Sequence, residues 1–140
     1  MREDELTRAS RREHALYGEL AAVYRGILEA LTDERAPVDP ARLAAEAARA
    51  EAATRALAVL DSVLAPLRQA GRAPAEVLAL WQASAALAAE AAVTNRELLS
   101  AARARQARIA TRCAALGAGR QALAGYRPAG ATMVAVDRRA

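Results

Sequence analysis

Residues 74–116 read PAEVLALWQASAALAAEAAVTNRELLSAARARQARIATRCAAL, and their composition and spacing indicate the fold class. Alanine, the strongest intrinsic helix former, supplies much of it, and β-branched residues are scarce. The larger apolar residues recur at steps of three and four, which is the spacing of one helix face and not the alternation of a strand. The stretch therefore predicts one long helix, which Gly117 and Gly119 would end.

Two more helices are predicted upstream, over residues 3–34 and 40–70, from the same periodicity. Asp39-Pro40 suits the start of the second helix, because Asp is a good N-cap and proline fits the first helical position. Gly71 is a suitable C-terminal stop. Pro66 lies inside the pattern and is expected to kink the second helix or end it about a turn early.

These segments predict an all-α protein: residues 1–116 form an elongated antiparallel bundle of three long, coiled-coil-like helices, of which the third is longest. Residues 117–140 are rich in glycine and proline and are predicted to be a flexible C-terminal tail. Since the third helix is predicted to be longer than the other two, its alanine- and arginine-rich part after Leu99 is expected to be incompletely covered by them.

The composition gives little support for catalytic chemistry. His14 is the only histidine and Cys113 the only cysteine, so no metal-ligand spacing, internal disulfide or nucleophile signature is present. His14 is expected at the surface, and Cys113 is expected to be a small apolar residue of the third helix. We therefore predict a protein that is not an enzyme and needs no cofactor or metal.

The charged N-terminus lacks the apolar core of a secretory signal, and no run approaches the roughly 18 uninterrupted apolar residues of a membrane span. A cytoplasmic protein without membrane insertion is the expectation.

The net charge is +4 and every basic residue is an arginine. Arg105, Arg108 and Arg112 lie three and four apart and share one helix face. This face can be a solvated stripe, a site for an acidic partner helix, or a site for a nucleic-acid backbone. Nucleic acid ranks below a protein partner, because no aromatic residues stand among these arginines to stack on bases.

Several segments carry a resemblance to a known family. Residues 94–99 (TNRELL), Gly125-Tyr126 followed by Gly130, and the ending 136–140 (VDRRA) are similar to the corresponding segments of FlgN-type flagellar export chaperones. The opening also fits, with aliphatic residues where a first helix of that family would carry them: Leu20, Ile27, Leu28 and Leu31.

The resemblance implies a chaperone for the proteins that join the flagellar hook to the filament. Such a chaperone would bind the C-terminal helical segments of these hook–filament junction proteins, prevent their premature assembly, and deliver them to the flagellar export gate. By the same resemblance, Tyr126 is expected to dock at the export gate.

We predict a client-binding seam on the third helix, where an uncovered apolar face could hold an amphipathic client helix. Its predicted members are Leu98, Leu99, Ala102, Arg105, Arg108, Ile109, Arg112 and Leu116. Two other functions stay open at this point: a helical adaptor of another system and a basic helical protein that binds nucleic acid. The seam could also be a homodimer interface when no client is bound.

Overall fold

A computed structural model describes residues 1–137 of the chain, with side chains described for residues 1–126. The described residues form three helices and no strand: α1 (Glu3–Thr32), α2 (Pro40–Ala70) and α3 (Ala75–Asp137). The predicted all-α fold with a longest third helix is confirmed, since α3 has 63 residues against 30 and 31 for the other two. The chain divides into a first unit, Met1–Ala102, and a second unit, Arg103–Ala140.

The start and end of α2 follow from local hydrogen bonding. The Asp39 carboxylate accepts a hydrogen bond from the Ala41 amide at 3.0 Å, and Pro40 occupies the first turn. At the other end Gly71 adopts a left-handed conformation with φ of 66°, and its amide donates to the Arg68 carbonyl at 3.2 Å. All three residues have the roles that the sequence predicts.

Pro66 does not end α2 early, because the helix continues through it to Ala70. The proline removes one backbone hydrogen bond, yet the residues on either side of it are held by packing. Leu64 is fully buried, and Leu67 packs against the same cluster. This burial offsets the lost hydrogen bond in the last turns of the helix.

The predicted end of the third helix at Leu116 is wrong, since α3 runs through Gly117 and Gly119 to Asp137. Each glycine costs about 1 kcal/mol relative to alanine in a helix interior, but alanine, leucine, glutamine and arginine surround these two. Strong helix formers on both sides therefore override the glycines. Within the predicted tail, residues up to 137 are helical, residues 138–140 lie outside the described part, and mobility stays a prediction.

The three helices of the first unit run up, down and up. Arg68 of α2 pairs with Glu13, and Arg49 pairs with Glu19 at 3.2 Å, so α1 and α2 are antiparallel. Residues 11 and 25 of α1 pair with residues 76 and 90 of α3, so these two helices are parallel.

Alanine dominates the larger of the two buried clusters in this unit. Small side chains let helices approach closely, but each layer buries little apolar area. The smaller cluster contains Leu6, Leu64 and Val77, lies near the α2–α3 turn, and is contacted by Trp81. The larger, alanine-rich cluster consists of Leu20, Ala21, Val23, Ala50, Ala53, Leu57 and Ala91.

Candidate partner-binding surface

Within the first unit, α3 faces its neighbours through a seven-residue repeat. Two columns of residues, each at intervals of seven, are sheltered from solvent, as the seam of a coiled coil would be. Val77, Ser84 and Ala91 are buried and Leu98 is half-buried. The other column is half-buried throughout: Trp81, Ala88, Asn95 and Ala102.

In the sequence, the same intervals of seven continue into the second unit, with larger aliphatic residues. Ile109, Leu116 and Leu123 follow Ala102 in one column, and Arg105 and Arg112 follow Leu98 in the other. The three aliphatic side chains are 55%, 68% and 71% exposed. We call Arg105, Ile109, Arg112, Leu116 and Leu123 the exposed stripe; Arg105 is its one half-buried member.

The charged residues in the segment 98–126 all have the same sign. The segment contains arginines but neither aspartate nor glutamate. On a helix surface, side chains three and four positions apart are the nearest neighbours. The segment therefore offers no carboxylate of its own within a turn of Arg112. Its arginines are Arg103, Arg105, Arg108, Arg112 and Arg120.

The structure places the predicted seam residues in two groups. Leu98 and Ala102 belong to the sheltered columns of the first unit, whereas Leu99 is 46% exposed and lies one position outside them. One residue corresponds to about 100° around a helix, so Leu99 is not part of the same stripe.

The other five predicted residues lie in the second unit. Four of them follow the intervals of seven and belong to the exposed stripe, and Arg108 lies beside it. Tyr126, predicted for the export gate, is 82% exposed and is the last residue with a described side chain. Tyr126 lies seven residues after Gly119, which itself lies seven residues after Arg112, so Tyr126 continues the column that contains Arg105 and Arg112.

Leu123 is the residue that the sequence prediction missed. It falls in the predicted tail, since Gly117 and Gly119 are expected to end the helix. The spacing of Ile109, Leu116 and Leu123, seven residues each, is the signal that could have revealed it.

A polar cluster ties the three helices of the first unit together. The Arg68 guanidinium binds the Glu13 carboxylate of α1 and, at 2.9 Å, the Asp61 carboxylate of its own helix. It also lies 5.3 Å from the centre of the Trp81 ring, within cation–π range. The Trp81 indole N–H donates to the Ser10 hydroxyl at 3.0 Å. These contacts link α1, α2 and α3 through two side chains.

Ionisation in this cluster reflects its burial and its carboxylates. Burial alone would lower the pKa of Arg68, but hydrogen bonds and charge from Glu13 and Asp61 raise it above its usual value. Burial, together with the negative charges of Glu13 and Asp61, raises the pKa of Tyr17 above 10.0. The Arg68 guanidinium is therefore protonated at physiological pH, which suits a structural role in its ion pairs.

The two residues that could have suggested catalysis have different surroundings. Cys113 is exposed on α3, and His14 is half-buried with its Nδ1 enclosed, not solvated as the sequence suggests. Among the described residues, no three His, Cys, Asp or Glu side chains converge as metal ligands would.

A shallow cleft of about 140 Å³ between α1 and α2 is lined by residues that include Ile27, Leu43 and Arg49.

Among the described residues, one helix, α3, is long and apolar enough to cross a membrane, by length and composition only. Its segment Ala75–Tyr126 contains an 18-residue window of mean hydropathy 1.4, and 17% of that window is buried. The core helix of a soluble bundle meets the same criterion, so the window is weak support for a span.

No protein family, no characterised protein and no solved structure matches this chain at significant similarity.

Proposed function

We propose that this chain is a cytoplasmic export chaperone of the FlgN type, which holds C-terminal helical segments of hook–filament junction proteins and delivers them to the export gate. The observation that carries the proposal is the exposed stripe. In the first unit the sheltered columns are filled mainly by alanine and polar residues, whereas the exposed positions carry Ile109, Leu116 and Leu123. The resemblance in residues 94–99 and around Tyr126 supplies the identity of the clients.

The energetics suit reversible binding. Covering an isoleucine or leucine side chain completely contributes about 1.5–3 kcal/mol, and each of the three aliphatic residues is more than half exposed. Ordering a disordered client segment consumes part of this gain. A moderate affinity results, and an export chaperone must release its client.

The test is titration calorimetry of the full chain against the C-terminal segment of a hook–filament junction protein from the same organism. The variant Ile109→Asp with Leu116→Asp places two charges in the exposed stripe. The matched control is Val59→Asp with Val63→Asp on α2, since Val59 is as exposed as Leu116, at 68%. Circular dichroism of both variants checks that the helices persist.

We expect saturable one-to-one binding by the native chain and the control, and loss of binding by the Ile109 and Leu116 variant. Equal loss in both variants would remove the assignment to α3. No binding by the native chain to an intact, soluble client segment would refute the chaperone proposal.

A further inference from the structure

We propose that two copies of this chain pair through the outer face of α3, as antiparallel helices related by a two-fold axis. This face lies within the first unit, on the side of α3 that points away from its sheltered columns, and it is separate from the exposed stripe. The inference goes beyond the proposed function and does not depend on it. The outer face consists of six exposed residues: Leu78, Gln82, Ala85, Ala86, Ala89 and Val93.

The outer face is apolar and almost free of charge. Leu78 and Val93 are both 45% exposed, and the three alanines of the face lie between them. Within residues 77–95 the one charged residue is Glu90, which already pairs with Arg25 of α1. Alanines let two helix axes approach to about 8 Å, which brings the larger side chains at either end into contact with the opposite helix. A contiguous apolar face of this kind is typical of a surface that packs against a partner.

The order of residues along the outer face is symmetric about the point between Ala85 and Ala86. In an antiparallel pair whose two-fold axis passes through that point, each position meets the position equally far on the other side. Leu78 then lies level with Val93 of the second copy, so the two large aliphatic residues cover each other at both ends. The remaining positions match alanine with alanine or with glutamine. The face is therefore complementary to itself in shape.

The charges that flank the outer face fit the same arrangement. At each end one copy contributes Arg72 and Glu76, and the other contributes an arginine and a glutamate at nearly the same level, Arg96 and Glu97. All four side chains are exposed, and neither Arg96 nor Glu97 takes part in an ion pair within the described chain. Glu76 also pairs with Arg11, and its side chain stays 57% exposed. Each end thus combines two positive and two negative charges.

The same charges disfavour a parallel pair. Parallel copies in register would place Glu76 beside Glu76 and Arg96 beside Arg96, and like charges across an interface are unfavourable. The antiparallel arrangement replaces each of these contacts with one between opposite charges. Orientation is therefore set by the charged ends, and close approach is permitted by the uncharged centre.

The expected interface is small. A helix face of about 25 residues is roughly 38 Å long and roughly 10 Å wide, so the pair would bury on the order of 800 Å² in total. Stable complexes bury about 1,200–2,000 Å². We therefore expect a reversible dimer with a dissociation constant of roughly 10–100 μM.

The first test is sedimentation equilibrium of the full chain between about 5 μM and about 500 μM, a range that brackets the expected constant. The variants Ala85→Glu and Ala85→Arg each place a charge beside the two-fold axis, where it meets its own copy. The matched control is Ala58→Glu, since Ala58 is an exposed alanine of α2 outside the outer face. Each variant is measured alone, and the two Ala85 variants are also measured as an equimolar mixture.

We expect the native chain and the Ala58 variant to dimerise equally. Each Ala85 variant alone should dimerise at least roughly tenfold more weakly, because like charges meet at the axis. Their mixture should regain the dimer, because opposite charges then meet there. Recovery in the mixture shows that the loss in each variant alone is not a loss of folding.

The second test determines orientation with single cysteines in a Cys113→Ala background and a short bifunctional maleimide. Ala86→Cys lies beside the axis and should cross-link to its own copy. Leu78→Cys should not, because antiparallel pairing places it roughly 22 Å along the helix from its own copy. A mixture of Leu78→Cys and Val93→Cys should cross-link, since these two positions lie level with each other.

A native chain that stays monomeric across this range overturns the inference. So does a dimer that persists unchanged in the Ala85 variants, a mixture that fails to regain it, or cross-linking of Leu78→Cys to its own copy. Vesicles of phosphatidylcholine and phosphatidylglycerol provide the remaining arm, because α3 meets the length and composition criteria of a membrane helix. Vesicle binding by a chain that is monomeric in solution would assign the outer face to a membrane surface instead.

Discussion

Arg68 of α2 contacts Glu13 of α1 and the ring of Trp81 of α3, so one side chain joins the three helices of the first unit. It is 31% exposed, yet its partner Glu13 is only 2% exposed, so the pair brings a buried carboxylate to the edge of the bundle. The second oxygen of Glu13 lies buried without a hydrogen bond to any described group. A buried carboxylate depends strongly on its one cationic partner.

We expect Arg68→Ala to lower the free energy of unfolding by about 2–3 kcal/mol, since it leaves Glu13 buried and unpaired and removes the cation over Trp81. Arg55→Ala is the control, because its pair with Glu51 is 73% and 68% exposed and should contribute at most about 0.5 kcal/mol. Urea denaturation measures both. Equal losses would show that burial of Glu13 has no special role.

This cluster could not be predicted from sequence. Arg68 and Glu13 are separated by 55 positions, and their pairing depends on how two antiparallel helices are aligned. The periodicity of each helix identifies which face is apolar, but it does not set that alignment. The local signals at Asp39 and Gly71, by contrast, depend on a few neighbouring residues and were predictable.

The helix α3 continues through two glycines that are unfavourable in a helix interior, Gly117 and Gly119. Adding a Cβ at Gly117 or Gly119 would meet no atom within 4 Å, so neither glycine is needed for close packing. Gly71 is the one described glycine with positive φ, and there a side chain would be strained. The sequence prediction treated these glycines alike, and the neighbouring residues decide between helix end and helix interior.

We expect Gly117→Ala and Gly119→Ala each to stabilise this part of α3 by about 1 kcal/mol, because alanine restricts the unfolded chain and favours the helix. Amide hydrogen exchange around residue 117 should slow by about fivefold for each substitution. Gly71→Ala should instead destabilise the bundle. Faster exchange in the Gly117 or Gly119 variant would mean that a non-helical conformation is required there.

Charge is distributed unevenly along the chain. Residues 1–35 contain more acidic than basic residues, whereas 98–126 contains arginine alone among charged types. The sequence showed this asymmetry and most of the exposed stripe, including Arg105, Ile109, Arg112 and Leu116. It missed Leu123, since the helix end was placed too early.

We propose that Leu123 binds the client and that Tyr126 docks at the export gate, so substitutions of these two residues should have different effects. We expect Tyr126→Ala to leave affinity for the client segment unchanged and to reduce secretion of the junction protein, because Tyr126 is assigned to the export gate. Leu123→Ala, less than one turn earlier, should weaken client binding because it truncates the exposed stripe. Calorimetry and a secretion assay in the native bacterium separate the two. Normal secretion with Tyr126→Ala would refute the assignment of this residue.

The alanine-rich core also governs how the protein responds to temperature. The heat capacity of unfolding grows with the apolar area that unfolding exposes. Ala21, Ala50, Ala53 and Ala91 expose little area each, and the aliphatic residues of the exposed stripe are already in contact with water. A small heat-capacity change flattens the curve of stability against temperature. We therefore expect the bundle to lose less stability on cooling or gentle warming than a leucine-rich bundle of the same size would.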